Sequence, residues 1–276
     1  MLRTVNSSHS SRGGYTFVKV LLIIAIFVML IGLLLPSVRR VREPAERSKC
    51  MNNLKQLMFA QHFYSDRPDG MNNGEAGAIP SSFPTGCMRP GVVPEDRLSW
   101  LVALLPYLEQ DHLHKQFDFN KGWHGNLRPG STVLTTLLCP TAKAKAPNDR
   151  VTHYVAMAGI GNDAALQPAG TPGNGFMGYD RLTNYTLMKD GSSNTIALME
   201  TNFNPGPWAR GGNSTVRGFD PATVIMAAEH QSFGIHTGVI QVAMVDASTR
   251  AIKTSIDPKV LAAAITIAGN ESENLD

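Results

Sequence analysis

Cysteine is scarce, with three residues in 276, and none of Cys50, Cys87 and Cys139 stands in a C-x-x-C pair. That excludes a redox dithiol motif and a four-thiolate zinc site built within one chain. Net charge is also small. The 25 basic and 22 acidic residues leave +3, and no dense basic run is available to follow a phosphate backbone, so no nucleic-acid partner is expected. The chain has no serine nucleophile elbow, no Walker A loop and no H-E-x-x-H. No catalytic residue, cofactor or metal is therefore expected, and the chain reads as something other than an enzyme.

What the chain does have is apolar residues, 43% of the total, enough for one large domain or two small ones and too many for disorder. Val20 to Leu35 is an unbroken run of sixteen, and extension back to Tyr15 gives twenty-one with Lys19 as the one charge. A helix rises ~1.5 Å per residue and needs about 20 residues to cross ~30 Å of hydrocarbon, so a transmembrane helix is expected over residues 15–35. A cleaved secretory signal would carry small residues of Ala-x-Ala type after such a run, but here Leu35-Pro36-Ser37 follows. Arg12-Gly13-Gly14-Tyr15-Thr16-Phe17-Val18 stands before the run instead. Arg3 and Arg12 precede it and Arg39, Arg40 and Arg42 follow, so basic residues alone set no clear orientation.

The Arg12 to Val18 segment resembles the leader junction of type IV pilins and type II secretion pseudopilins. The resemblance implies a prepilin peptidase as partner, cutting between Gly14 and Tyr15 and methylating the new terminus. It also implies an inner-membrane location, single-pass, with the C-terminal body on the extracytoplasmic side, and other pilin-like or secretion-system subunits as partners. Lys19 falls at the fifth position after that cut, where pilins carry a glutamate used in assembly.

Downstream, residues 37–65 lack glycine and favour helix. Val38, Val41, Ala45, Met51, Leu54 and Met58 recur at helical spacing, so an amphipathic stem is expected over 36–66. Pro36 and Pro44 each remove a helical hydrogen bond, and Pro44 is expected to kink or restart the stem. Asp66-Arg67-Pro68-Asp69-Gly70 reads as a turn into a globular part over 67–276. There, Thr152 to Val155 and Thr195 to Met199 read as short strands, and Ser99 to Gln110 as a helix. Val239 to Val245 and Ala251 to Thr254 read as a hairpin, and Asp257-Pro258 as the start of a closing helix that stops at Gly269. The fold class expected is α+β, pilin-like: a leader over 1–14, a long membrane helix and stem, then a mainly antiparallel β domain.

Three landmarks narrow the resemblance: Arg47-Ser48-Lys49-Cys50-Met51-Asn52-Asn53-Leu54-Lys55-Gln56-Leu57, Leu105-Pro106-Tyr107-Leu108-Glu109-Gln110 and Asp190-Gly191-Ser192-Ser193-Asn194-Thr195. In this order they resemble the bacterial family called domain of unknown function 1559, whose members end in H-x9-D-G. Here His236 and Asp246 match that spacing, and Ala247 replaces the glycine. A turn position of positive φ would penalise alanine, so a different or a strained turn is expected.

Candidate chemistry is thin. Gly173-Asn174-Gly175-Phe176-Met177-Gly178 matches G-x-G-x-x-G but follows Pro168 and Pro172 where a strand is required, and reads as a loop. His112 and His114 could share a metal, or be ordinary residues at a helix end. His230, His236 and Asp246 read as a structural hydrogen-bonded set, with a ligand site and an acid-base pair as alternatives. Cys87 and Cys139 lie in loop-like surroundings suited to a disulfide, although pairing is not readable from sequence. Tyr107, Trp123 and Trp208 are either core residues or the lining of a carbohydrate groove. The function expected is a membrane-anchored, pseudopilin-like structural protein of a type II secretion or pilus-like system, minor or non-polymerising. The alternative is an anchored module that binds a polymer such as a polysaccharide.

Overall fold

A computed structural model describes residues 13–67, 81–143, 150–222 and 233–269, without the side chains of 13–16 and 32–42. The leader up to residue 12, most of the turn expected at 66–70, and His230 lie outside the described residues. The chain divides into two compact units, Met1–Ala45 and Glu46–Asp276.

Helix α1 runs Gly13–Ser65 and is helical through Pro36 and Pro44, so neither proline ends it or starts a new helix. Each proline costs one i to i−4 bond, and the remaining ladder holds on both sides. Among the described residues no helix is long and apolar enough to cross a membrane. This corrects the long membrane helix expected over 15–35, the pilin-like fold class built on it, and the single-pass inner-membrane location. Of that apolar run the described side chains are those of Phe17 to Ile31, and Lys19 stands among them, a charge that is costly in hydrocarbon.

The second unit is a mixed α/β body around a mostly antiparallel sheet. A small ribbon, β1 (Cys87–Met88) with β2 (Leu98–Ser99), precedes α2 (Trp100–Ala103), α3 (Asp111–His114), α4 (Leu127–Gly130) and α5 (Pro140–Lys143). The helix expected over 99–110 is broken into α2 and a 3-10 turn at Leu105–Leu108, because Pro106 has no N–H to continue the ladder and Glu109 turns left-handed at φ 60°. The main sheet comprises β3 (Tyr154–Ile160), β4 (Ile196–Glu200), β5 (Val216–Phe219), β6 (Val239–Met244) and β7 (Thr249–Lys253), in the order β5-β3-β4-β6-β7. Among the described residues only the β3 and β5 pair is parallel. Helix α6 (Pro258–Ile265) closes the described chain. Its N-cap Asp257 accepts a hydrogen bond from Lys259 N at 2.8 Å, and it ends at Thr266, short of Gly269.

Strand alternation divides the core between the two faces of the sheet. Tyr154, Ala156, Ala158, Leu198 and Ala243 belong to one cluster together with Cys50, Leu54, Leu57 and Met58 of α1. Val155, Met157, Met199, Ile240, Val242 and Met244 belong to the other, together with Leu261, Ala264 and Ile265 of α6. Small alanines on the first face leave room for a helix to approach, and each fully buried leucine adds roughly 1.5 to 3 kcal/mol. Residues 50–64 of α1 are thus core residues of the body.

Candidate functional site

Four chemically active side chains from four different segments meet on the α1 face of the sheet. Cys50 comes from α1, Cys139 stands just before α5, Glu200 ends β4, and His236 opens the tight turn that leads into β6. All four are buried, and one donor atom of each lies within 4.8 Å of every other.

Cys50 and Cys139 are joined as a disulfide, with Cα atoms 5.4 Å apart across 89 residues of sequence. Cys87 is the free thiol. The pairing of Cys87 with Cys139 read from loop-like surroundings is therefore corrected. Cys87 is buried in β1, where its Sγ accepts a hydrogen bond from Gly212 N at 3.1 Å, and burial pushes its thiol up to about 12. The stem supplies Cys139's partner because this half of α1 lies in the core. Asn53, one turn beyond Cys50, donates to Leu138 O and to Tyr154 Oη, both at 3.2 Å, and so fixes the helix against the Cys139 segment and β3.

Glu200 closes the buried run Ile196-Ala197-Leu198-Met199. Its Oε1 accepts from Gln241 N at 3.0 Å and Ile235 N at 3.2 Å, which holds the turn carrying His236 against β4. Its Oε2 has no hydrogen-bond partner and lies 3.7 Å from His236 Nε2. Burial pushes the Glu200 carboxyl up to about 7, while the backbone N–H groups of Gln241, Ile235 and His236, and the charge of Arg47, pull it down. The Gln241 amide is also buried without a hydrogen-bond partner on either atom. Alternation along β6 points it to the same face as Ala243, away from Ile240 and Val242.

The imidazole is oriented from its other side. Thr141 Oγ1 donates its single proton to Glu46 Oε2 at 2.9 Å, so toward His236 Nδ1, 3.4 Å away, it accepts. That assigns the ring proton of a neutral His236 to Nδ1 and aims the Nε2 lone pair at Cys139 Sγ, 3.5 Å away, and at Glu200 Oε2. Two sulfurs, one imidazole nitrogen and one carboxylate oxygen are atoms of the kinds that bind zinc tetrahedrally when the sulfurs are thiolates, and the Glu46–Thr141–His236 chain resembles the hydrogen-bonded carboxylate that backs a ligating histidine.

The other residues singled out from sequence are dispersed. Lys19 is exposed on α1, and Gly14 and Tyr15 lie in its first turn. Asp246 sits in the hairpin turn, where Oδ1 accepts from Ser248 N at 2.8 Å and its own N–H donates to Ser192 O at 3.1 Å. His112 is exposed, whereas His114 is buried against Phe119 with its pKa lowered by burial, so the short helix α3 does not give them the common face of a strand. Residues 173–178 form a loop bridged to β3 through Gly159 and Asn174, and buried Arg181 gathers it by donating to Gln167 O, Asn174 Oδ1 and Gly175 O. Trp208 is fully buried with Nε1 donating to Thr132 O, so it lines no groove. Sequence reasoning missed Glu200 and the Cys50 partner. The available signal was an acidic residue ending an all-apolar strand, a place where a charge needs compensation.

Comparison with known proteins gives one result. A family model described as "Protein of unknown function (DUF1559)" matches residues 39–222, two-thirds of the chain, and takes in Cys50, Cys139 and Glu200. Neither a curated protein nor a solved structure matches the chain.

Proposed function

The chain belongs to the DUF1559 family, and on that footing we propose that it is a structural, interaction-type protein: a minor subunit of a pilin-like assembly that joins other subunits through the apolar half of α1 and does not polymerise with itself. One observation carries this reading. Phe17, Val18, Leu22, Ile24, Phe27 and Leu30 each have about half or more of their surface exposed, and these residues point around the whole circumference of the helix. A helix apolar on every side is stable when buried among others, and a partner's apolar helices would supply that burial.

Lys19 limits which partner fits. Its ammonium stands within the apolar segment, so a neighbouring helix must bring a carboxylate. A second copy would bring Lys19 close to another cation, the α-amino group of Tyr15 if the chain is cut after Gly14, and low dielectric strengthens that repulsion. The residues at Gly14 and Tyr15 support processing by a prepilin peptidase.

A photoreactive amino acid at Phe27 of the full chain, in native cells, should give discrete adducts with other pilin-like subunits, and mass spectrometry should find an N-methylated Tyr15 terminus. Homopolymers of the wild-type chain, or a chain keeping Met1 to Gly14 beside an active prepilin peptidase, would overturn the reading. Filaments forming only after Lys19→Glu would support it.

A further inference from the structure

We propose that reduction of the Cys50–Cys139 disulfide converts the cluster into a buried zinc site, with Cys50 Sγ, Cys139 Sγ, His236 Nε2 and Glu200 Oε2 as the four ligands. The four donor atoms already lie within 4.8 Å of one another, and no rearrangement of the backbone is required to gather them. With the Cα atoms 5.4 Å apart, rotation of the two side chains separates the sulfurs to about 3.8 Å, the edge of a tetrahedron with Zn–S near 2.3 Å. His236 has the tautomer a metal requires, because Thr141 and Glu46 take the Nδ1 side. Glu200 supplies the independent sign of a missing ligand. Its Oε2 is fully buried, aimed at His236 Nε2, and makes no hydrogen bond, while Oε1 is held by two backbone N–H groups. A buried carboxylate oxygen left this way costs free energy that a cation would recover.

The chemistry balances. A dithiol reductant gives two electrons and two protons to the disulfide and leaves as its own disulfide. Zinc(II) then displaces the two thiol protons, and the two thiolates neutralise its charge. Arg47, whose charge acts on Glu200, offsets the carboxylate. Oxidation by a disulfide of the reductant class reverses both steps and expels the ion. Oxidised and reduced chains would thus each have a closed core, clamped in one case by a covalent bond and in the other by an ion. Zinc is favoured over harder divalent cations because the set holds two thiolates and one imidazole.

The test uses the full chain, reduced with a tertiary phosphine in mild denaturant, freed of reductant under nitrogen, and returned to buffer with zinc. One zinc per chain after desalting, a rise in Tm that the oxidised chain does not show, and the thiolate charge-transfer and intense visible bands of a tetrahedral site when cobalt(II) replaces zinc are expected. Equal zinc content in oxidised and reduced chains, or reduced chains with none, would overturn the proposal. Thr141→Val guards against variants that fail to fold. Its oxidised form should still melt cooperatively, and its reduced form should bind zinc about 10- to 100-fold more weakly, the usual effect of losing the group behind a ligating histidine. Unchanged affinity in both Thr141→Val and Glu200→Gln would place the metal elsewhere and sink the assignment.

Discussion

The two ends of α1 use the same kinds of residue to opposite effect. Residues 17–31 expose leucine, isoleucine and phenylalanine on all sides, whereas between Cys50 and Tyr64 a stripe of Cys50, Leu54, Leu57, Met58, Ala60 and Tyr64 is buried, with Lys49, Lys55, Gln56, Phe59 and Phe63 turned outward. The difference is pattern, not hydrophobicity. A stripe can be satisfied by one sheet face, and a helix apolar all round needs neighbours on every side. The second half also carries the polar and covalent ties of the body: Asn53 to Leu138 O and Tyr154 Oη, Cys50 to Cys139, and Glu46 to Thr141.

The largest expected contrast is in thiol reactivity. Ile24→Cys places a thiol in the exposed half, while Cys87 is 1% exposed and pushed up to about 12. At pH 8 the introduced cysteine should be alkylated at least about a thousandfold faster in the purified chain, since only the thiolate reacts. Comparable rates would mean that the β1 region opens readily. The sign for stability follows. Cys87 stays protonated in the folded chain while an unfolded thiol ionises near 9, so its contribution is present below pH 9 and is lost as the pH rises toward 12.

Next in size is the covalent tie. With the bonded cysteines 89 positions apart in sequence, chain entropy predicts a loss of roughly 4 to 5 kcal/mol for Cys50→Ala with Cys139→Ala, measured by urea unfolding in the presence of a chelator. A loss under about 1 kcal/mol would show that the noncovalent contacts of residues 50–64 already confine the unfolded chain. Leu57→Ala should lower the stability of the body by about 2 to 5 kcal/mol, because Leu57 is fully buried. Ile24→Ala should leave the same transition unchanged, and a matching loss would mean that the two halves of the helix unfold as one unit.

Legibility in the sequence followed the range of each interaction. The β6 and β7 hairpin, the capped start of α6 and the strands at β3 and β4 were readable, because alternation, Asp257-Pro258 and the turn residues act over a few positions. The Asp190 to Thr195 landmark has a local logic too, with Asn194 Nδ2 donating to Asp190 O and Thr195 Oγ1 to Gly191 O. What could not be read depends on sheet order. Only when β4 lies beside β6 does Glu200 reach the Ile235 and Gln241 backbone, and only when residues 50–64 cover that face does Cys50 meet Cys139. The restart expected at Pro44 and the expected membrane span failed for a related reason. A proline's effect and an apolar run's fate are set by what surrounds them, and a window of residues does not contain that.

The finest comparison sets an alanine of the buried half of α1 against one in the hairpin turn. Ala60 is 1% exposed and helical, and Ala247 is 3% exposed with φ 66°. In the turn, Ala247 N donates to Met244 O at 3.0 Å and Met244 N to Ser248 O at 2.8 Å, the pattern of a type I turn followed by a left-handed residue. Each substitution to glycine removes a buried methyl, costing about 0.8 kcal/mol, and loosens the unfolded chain by a similar amount, so these contributions largely cancel between the two sites. What remains is the backbone. The left-handed conformation costs an alanine roughly 1 to 2 kcal/mol that glycine does not incur, while the helical one costs it nothing. Ala60→Gly is therefore expected to lose about 1 to 2 kcal/mol, and Ala247→Gly to change the stability of the body by no more than about 0.5 kcal/mol in either direction. Equal losses would show that packing around the Ala247 methyl, and not the strained turn, decides that position.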